Sequence, residues 1–267
     1  MAQMMKVTRY AVSARRAVAA PRLTVAVLSD LHAAAPYMDS ARIADLVAQT
    51  NGLGVDLIVL LGDYAGHVLG GRDLTPDAVA QGLTPLAAPL GVFAVFGNHD
   101  WRDDPATRRP GPARTRWHDA FDAAGIATLS NQAVTLTSGG TPFTLAGLES
   151  QRAFRTLFPY RITGADDLPA VSAQVNPELF TLLLAHEPCI FPDLPDAYDL
   201  TLSGHTHGGQ IAPFGRAMFA PARHGARYAY GHHLHGEKQL VVSGGAASSG
   251  LPIRIGRPPE ITVVSVA

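Results

Sequence analysis

Five short polar blocks, each directly after an apolar run, constrain this chain more than any bulk property. In order they are SDLH (residues 29–32), GDY (62–64), GNHD (97–100), AHE (185–187) and GHTHGGQ (204–210). The runs before them, 23–28, 57–61, 92–96, 182–184 and 198–202, read as buried strands. Polar residues at the carboxyl ends of neighbouring strands converge on one edge of a sheet, where α/β folds place their ligands.

The first half alternates strand and helix. Asp39 or Ser40 can cap a helix that carries Ile43, Leu46 and Val47 on one face. Thr75-Pro76 marks a second helix start, running to about Gln81, and Trp117 and Phe121 suggest a third ending near Gly125. Residues 133–137 and 143–147 around Ser138-Gly139-Gly140 read as a β-hairpin, and 239–243 and 261–266 as two later strands. The pattern predicts an α/β (α+β) chain of two facing sheets with helices outside. Residues 1–22 read as a solvated N-terminal extension and 23–267 as one domain. Three stretches, 101–113, 150–173 and 211–238, read as long loops over the polar edge.

The chain has 267 residues, 47% of them hydrophobic, enough for a sizeable core. Its net charge of -1 gives no overall basic field for nucleic acid, which argues against a nuclease. The single cysteine, Cys189, excludes an internal disulfide framework and reads as a buried thiol. No apolar run approaches the roughly 20 residues of a membrane span. Arg15-Arg16 is followed too soon by Pro21 and Arg22 for an export signal, so a cytoplasmic protein is expected, with peripheral membrane contact left open.

Asp30 and His32 lie two residues apart, as do His205 and His207. On an extended strand end such pairs point to one side and can face one ion. Singly, the blocks have bland readings: a capping Asp with a surface His, a G-D turn at Asp63, an edge histidine at His186, a polar turn at Asn98, His99 and Asp100. Together they supply mixed oxygen and nitrogen ligands with a carboxylate able to bridge two divalent ions. Such a pair makes hydroxide available near neutral pH and clamps phosphate oxygens; His99 is then the candidate general acid and Asp100 a group to orient it.

This ordered set resembles the calcineurin-like metallophosphoesterases, whose motifs are D-x-H, G-D, G-N-H-[DE], a lone H and G-H-x-H. GHTHGGQ with its following Pro213 and Phe214, the stretch 249–254 (SGLPIR) and 258–261 (PPEI) are similar to one bacterial branch. That branch includes phosphodiesterases and enzymes hydrolysing the pyrophosphate of UDP-diacylglucosamine. Many of its members carry an N-terminal membrane or export segment with no counterpart here, which weakens the lipid-substrate reading. The resemblance implies a four-layer α-β-β-α sandwich of two mixed β-sheets flanked by helices. It implies one metal held by Asp30, His32, Asp63 and His207, and a second by Asp63, Asn98, His186 and His205. Asp63 would bridge, His99 would be the acid and Asp100 its partner. The cofactors expected are two divalent ions, manganese, iron or zinc. The substrate expected is a small-molecule phosphodiester or pyrophosphate attacked by the metal-bridging hydroxide. A phosphomonoesterase or protein phosphatase is the alternative, and a non-catalytic metal-binding scaffold the more distant one.

Other residues have weaker signals. Arg102, Arg108, Arg109, Arg114 and Arg116 could meet phosphates but read first as a solvated face. His224, His232, His233 and His235 fit no firm metal template and read as a polar loop. Phe154, Phe158 and Tyr160 read as core rather than pocket lining.

Overall fold

The computed structural model describes residues 5–108, 114–158, 160–217 and 225–267. Two six-stranded mixed sheets face each other. The first has the order Lys6–Val12, Glu260–Val266, Leu23–Leu28, Leu57–Leu60, Val92–Ala94, Ala127–Thr128. The second has the order Gly231–His235, Lys238–Val242, Leu200–Ser203, Phe180–Ala185, Thr141–Leu148, Gln132–Ser138. Strands 23–28, 57–60 and 92–94 run parallel, as do 141–148, 180–185, 200–203 and 238–242. Antiparallel pairing joins 260–266 to 23–28, the hairpin 132–138/141–148, and 231–235 to 238–242.

Three apolar clusters define the layering. Val25, Leu57, Val59, Phe143, Phe180, Leu182 and Leu200 fill the space between the sheets. The alternate residues of the first sheet, among them Ala26, Leu28, Ile58 and Leu60, pack under helices α1 (Ser40–Asn51), α2 (Pro76–Leu83) and α4 (Arg116–Ala123). Leu183, Ala185, Leu240 and Val242 of the second sheet pack under Val171 of α5 (Leu168–Ser172) and under Phe191. Strands buried on both faces read as continuous apolar runs, which is how 57–60 and 180–185 are written. The two-residue side-chain period explains how one run serves two interfaces.

The helix signals act as read. The Asp39 side chain accepts from the Arg42 N–H, and Thr75 accepts from the Ala78 N–H ahead of a proline at the first helical position. Other expectations change. Residues 6–12 are not a solvated tail: they pair in parallel with 260–266 along the full strand and close one edge of the first sheet. Alternation in KVTRYAV is weak because only Val12 of this edge strand is fully buried. The long stretches also carry structure. Residues 150–173 contain the antiparallel ribbon Phe154–Leu157/Tyr160–Thr163 and helix α5. Residues 211–238 contain the strand Gly231–His235. Residues 109–113 and 218–224, and with them Arg109 and His224, lie outside the described residues.

Phe154 packs edge-to-face on Trp101, but Phe158 and Tyr160 are 96% and 63% exposed and belong to no core. Cys189 is half-buried rather than buried.

Candidate metal centre

The ligands predicted from the five blocks meet where the carboxyl ends of the two sheets come together. Asp30 and His32 follow strand 23–28, Asp63 follows 57–60, and Asn98 follows 92–94. His186 follows 180–185, and His205 and His207 follow 200–203. All seven are buried. Backbone bonds fix these ends: Asp30 N–H to Gly62 O in the first sheet, Gly204 N–H to His186 O in the second, and Ala246 N–H to Ser29 O between them.

The local backbone is not the extended strand end that the i, i+2 spacing suggested. Asp30, His32, Asp63, His205 and His207 have φ of 57°, 38°, 55°, 69° and 53°. Five of the eight non-glycine residues with positive φ among the described residues are thus site residues. Left-handed backbone at such side chains costs energy and persists where the surroundings enforce it, typically at functional sites. Two glycines make the approach possible. A Cβ on Gly97 would overlap the Asp63 carboxylate and lie 2.8 Å from His186 Cε1. One on Gly204 would overlap Ser29 and lie 2.6 Å from Asp30 Oδ2.

Two groups of three result. Asp30, His32 and His207 form one and Asp63, His186 and His205 the other, each with ligand atoms within 4.8 Å of one another. Asp63 Oδ2 lies 3.2 Å from His186 Nε2 and 3.7 Å from His32 Nε2, between the two groups. Asp30 Oδ1 lies 3.4 Å from His207 Nε2.

The hydrogen-bond pattern tests whether cations fit. His32 Nδ1 bonds Ala65 O at 3.0 Å, His207 Nδ1 bonds Ala247 O at 3.0 Å and His186 Nδ1 bonds Leu61 O at 2.7 Å. A carbonyl only accepts, so each Nδ1 carries a proton, and in the neutral rings of His32 and His207 that leaves Nε2 as a bare lone pair. Those of His32 and His207 face each other at 3.1 Å, while the buried Nε2 of His186 faces Asp63 Oδ2 at 3.2 Å. Lone pairs aimed at one another in a buried space, each backed by a carbonyl, are the arrangement of metal-bound histidines. The Asn98 amide end lies 2.7 Å from His205 Nδ1; with its oxygen inward, two acceptors meet there as two ligands of one ion would. The donor set fits a pair of divalent cations of mixed oxygen and nitrogen preference.

Burial holds the His32 and His207 rings down to about 3, so both are neutral at pH 7; for His207 the Arg254 guanidinium, 3.0 Å from Nδ1, adds to this. Asp63 is held well below the ordinary carboxylate range: burial opposes this, and His186 and His99 outweigh it. His186 is raised, burial being outweighed by Asp63.

GNHD is the first turn of helix α3 (Asn98–Arg102), and this separates two neighbouring aspartates. Asp100, third residue of the helix, reaches back to the Gly97 N–H and also takes the N–H groups of Asp63, Tyr64 and Ala65, at 2.8–2.9 Å. It fastens the Asp63 loop and is not the partner of His99. That partner is Asp103, one turn on, whose Oδ2 lies 2.5 Å from His99 Nδ1. The spacing i, i+4 was present in the sequence but becomes informative only once the segment is known to be helical. The His99 N–H donates to Asp63 Oδ1 at 2.8 Å, and Trp101 anchors the turn through Glu149 at 2.7 Å.

A cleft of about 500 Å³ opens over the centre, lined by Asp63, Asn98, His99, His205 and His207 together with Arg102 and Arg152. Arg102 alone of its arginine cluster is seen there. Arg114 pairs with Asp122 and Arg116 with Asp104; the side chain of Arg108 lies outside the described residues. Arg152 had no motif to reveal it; its Nε is buried without a hydrogen bond. His232 and His233 bond Gln239 and Tyr230 O, and no metal-holding group includes them among the described residues.

The sequence model of the calcineurin-like phosphoesterases matches residues 23–209, and the chain belongs to that family. By class it is therefore a metal-dependent phosphoesterase. It is 32% identical over 244 residues to phosphodiesterase YaeI of Escherichia coli, covering 90% of this chain and 80% of that protein. It is 32% identical over 198 residues to the metallophosphoesterase F40B5.2 of Caenorhabditis elegans, covering 72% of this chain and 38% of that longer protein. The fold is that of the sulfate thiohydrolase SoxB of Thermus thermophilus, with a TM-score of 0.51 at 13% identity over 91% of this chain and 56% of the other. No helix among the described residues is long and apolar enough to cross a membrane.

Proposed function

We propose that this chain is a dinuclear-metal phosphodiesterase acting on a phosphodiester or pyrophosphate bond of a small molecule. The observation that carries this reading is the facing Nε2 lone pairs of His32 and His207 beside a second group of three built on Asp63. Asp30, His32, Asp63 and His207 would hold one ion, and Asp63, Asn98, His186 and His205 the other. Manganese, iron or zinc would suit these donors. When bound, such a pair lowers the pKa of water and draws charge from the phosphate oxygens.

The chain's own residues do the rest. Asp63 ties the centre to the acid, because its Oδ1 holds the His99 N–H. His99 carries the proton for the departing oxygen, and Asp103 holds Nδ1–H and so fixes which ring nitrogen faces the cleft. Arg102 and Arg152 offer positive charge to the phosphoryl group and any neighbouring anion. Asp100 keeps the Asp63 loop in its left-handed shape. A near-neutral overall charge and a cleft rather than a basic stripe favour a small substrate over nucleic acid.

The test is turnover of bis-p-nitrophenyl phosphate against p-nitrophenyl phosphate after metal removal and separate restoration of manganese, iron or zinc. Metal-dependent diester turnover above the monoester rate is expected. A faster monoester rate would replace the diesterase reading with a phosphomonoesterase.

A further inference from the structure

Beside the two groups of candidate metal ligands lies a third, which adds His67 to the proton donor His99 and its partner Asp103. His67, His99 and Asp103 bring their ligand atoms within 4.8 Å of one another. The rings of His67 and His99 are 4.1 Å apart. Both Nδ1 atoms converge on the same oxygen, Asp103 Oδ2, at 3.5 Å from His67 and 2.5 Å from His99. At 3.5 Å the His67 contact is too long for a hydrogen bond, so its Nδ1 has not been committed to the carboxylate. His67 is half-exposed on the cleft wall, so an ion from solvent reaches it without opening the core. Its backbone is fixed, its carbonyl accepting from the Gly250 N–H.

We infer that His67, His99 and Asp103 form an inhibitory site for a zinc-like divalent cation, separate from the two-ion centre. This rests on the reading of His99 as the proton donor. Two imidazoles and one carboxylate are a three-ligand zinc set with a position left for water. Ligands about 2.0–2.2 Å from a tetrahedral ion stand roughly 3.3–3.5 Å from one another. The His67–Asp103 separation already has that value, and the His99–Asp103 pair needs to open by roughly 1 Å. The ion takes the Nδ1 lone pair of His99, releases its proton to solvent and separates the ring from Asp103, so proton donation stops. Arg102 opposes this: its Nη2 lies 3.0 Å from His99 Nε2 and its Nε 3.5 Å from Asp103 Oδ1. The like charge weakens the site, which suits inhibition that responds to free metal rather than permanent occupancy.

The experiment loads the full chain with manganese and titrates buffered free zinc. It follows turnover of bis-p-nitrophenyl phosphate and, by equilibrium dialysis, the zinc and manganese bound. The wild type is expected to take up one zinc with manganese retained and to lose at least about 90% of turnover. His67→Ala, checked for an unchanged melting temperature and backed by His67→Gln, should keep its basal turnover within about threefold and need at least tenfold more zinc. Arg102→Met should bind zinc more tightly. Equal zinc sensitivity in wild type and His67→Ala, or zinc uptake matched by manganese loss, overturns the site. A wild type without turnover under any metal defeats the functional reading, while the dialysis still decides whether His67 holds zinc.

Discussion

Nε2 of His32 and Nε2 of His207 face each other at 3.1 Å, and both rings have already given their Nδ1 protons to backbone carbonyls. Two neutral acceptors at that distance repel unless something positive lies near both. The proposed two-ion centre follows from that pair and from Asp63 beside it.

Metal removal should therefore destabilise the fold. Binding to the native state alone adds roughly 2.7 kcal/mol at a free-ion concentration one hundred times Kd. For a domain of this size each kcal/mol moves Tm by roughly 2–4 °C. Chelation is expected to lower Tm by about 5–10 °C, reversed by restoring the ion, as read by differential scanning calorimetry.

Metal binding should also be linked to protons. His186 is raised above its ordinary value because Asp63, only 3.2 Å away, outweighs burial. In the metal-free protein His186 therefore keeps its proton to higher pH than a free histidine, and an ion must displace it. Affinity is expected to rise with pH until that raised pKa is passed. Calorimetry in buffers of different ionisation enthalpy should show proton release on binding at pH 7; no release would contradict the His186 assignment.

Asp103 and Asp100 should separate cleanly on mutation. Asp103→Asn should leave both ions in place and lower kcat by roughly 10- to 100-fold, less than the roughly 10²–10⁴ of losing the acid itself. The loss should be largest for poor leaving groups, measured across a series of aryl diesters.

Asp100→Ala orphans four backbone N–H groups of the Asp63 loop and Gly97. A cost of roughly 3–5 kcal/mol in urea unfolding is expected. Unchanged stability would mean the loop is held by something else.

Arg152→Ala should raise KM by roughly 10- to 150-fold at unchanged metal content, since a lost charged hydrogen bond costs roughly 1.5–3 kcal/mol. Stability should stay within about 0.5 kcal/mol, because its buried Nε has no hydrogen bond to lose. Steady-state kinetics and a melting curve decide this.

The candidate metal ligands were legible because each follows a strand that had to be apolar on both faces. Asp30, Asp63, Asn98, His186 and His207 stand out against such runs, and the sheets bring their ends together. What was hidden depended on local backbone shape. GNHD reads as a turn, and only as a helix does it send Asp100 backwards and place Asp103 beside His99. Spacing alone would let each i, i+2 pair face one ion, and only the family resemblance divided His205 from His207. The left-handed turns give that division a physical basis, with His205 beside the Asp63 group and His207 beside the Asp30 group. The strand Lys6–Val12 was invisible because an edge strand has no buried face to enforce alternation. Arg152 belongs to a stretch without a motif and acquires meaning only from the cleft it lines.

The most direct test is the metal content of the manganese-reconstituted chain after exhaustive dialysis, beside that of Asp63→Ala. Two manganese ions per wild-type chain are expected. The variant should hold fewer than one and lose kcat/KM by more than about 10³, the several kcal/mol such ions supply. A single ion in the wild type, or two in the variant, would contradict a centre bridged by Asp63.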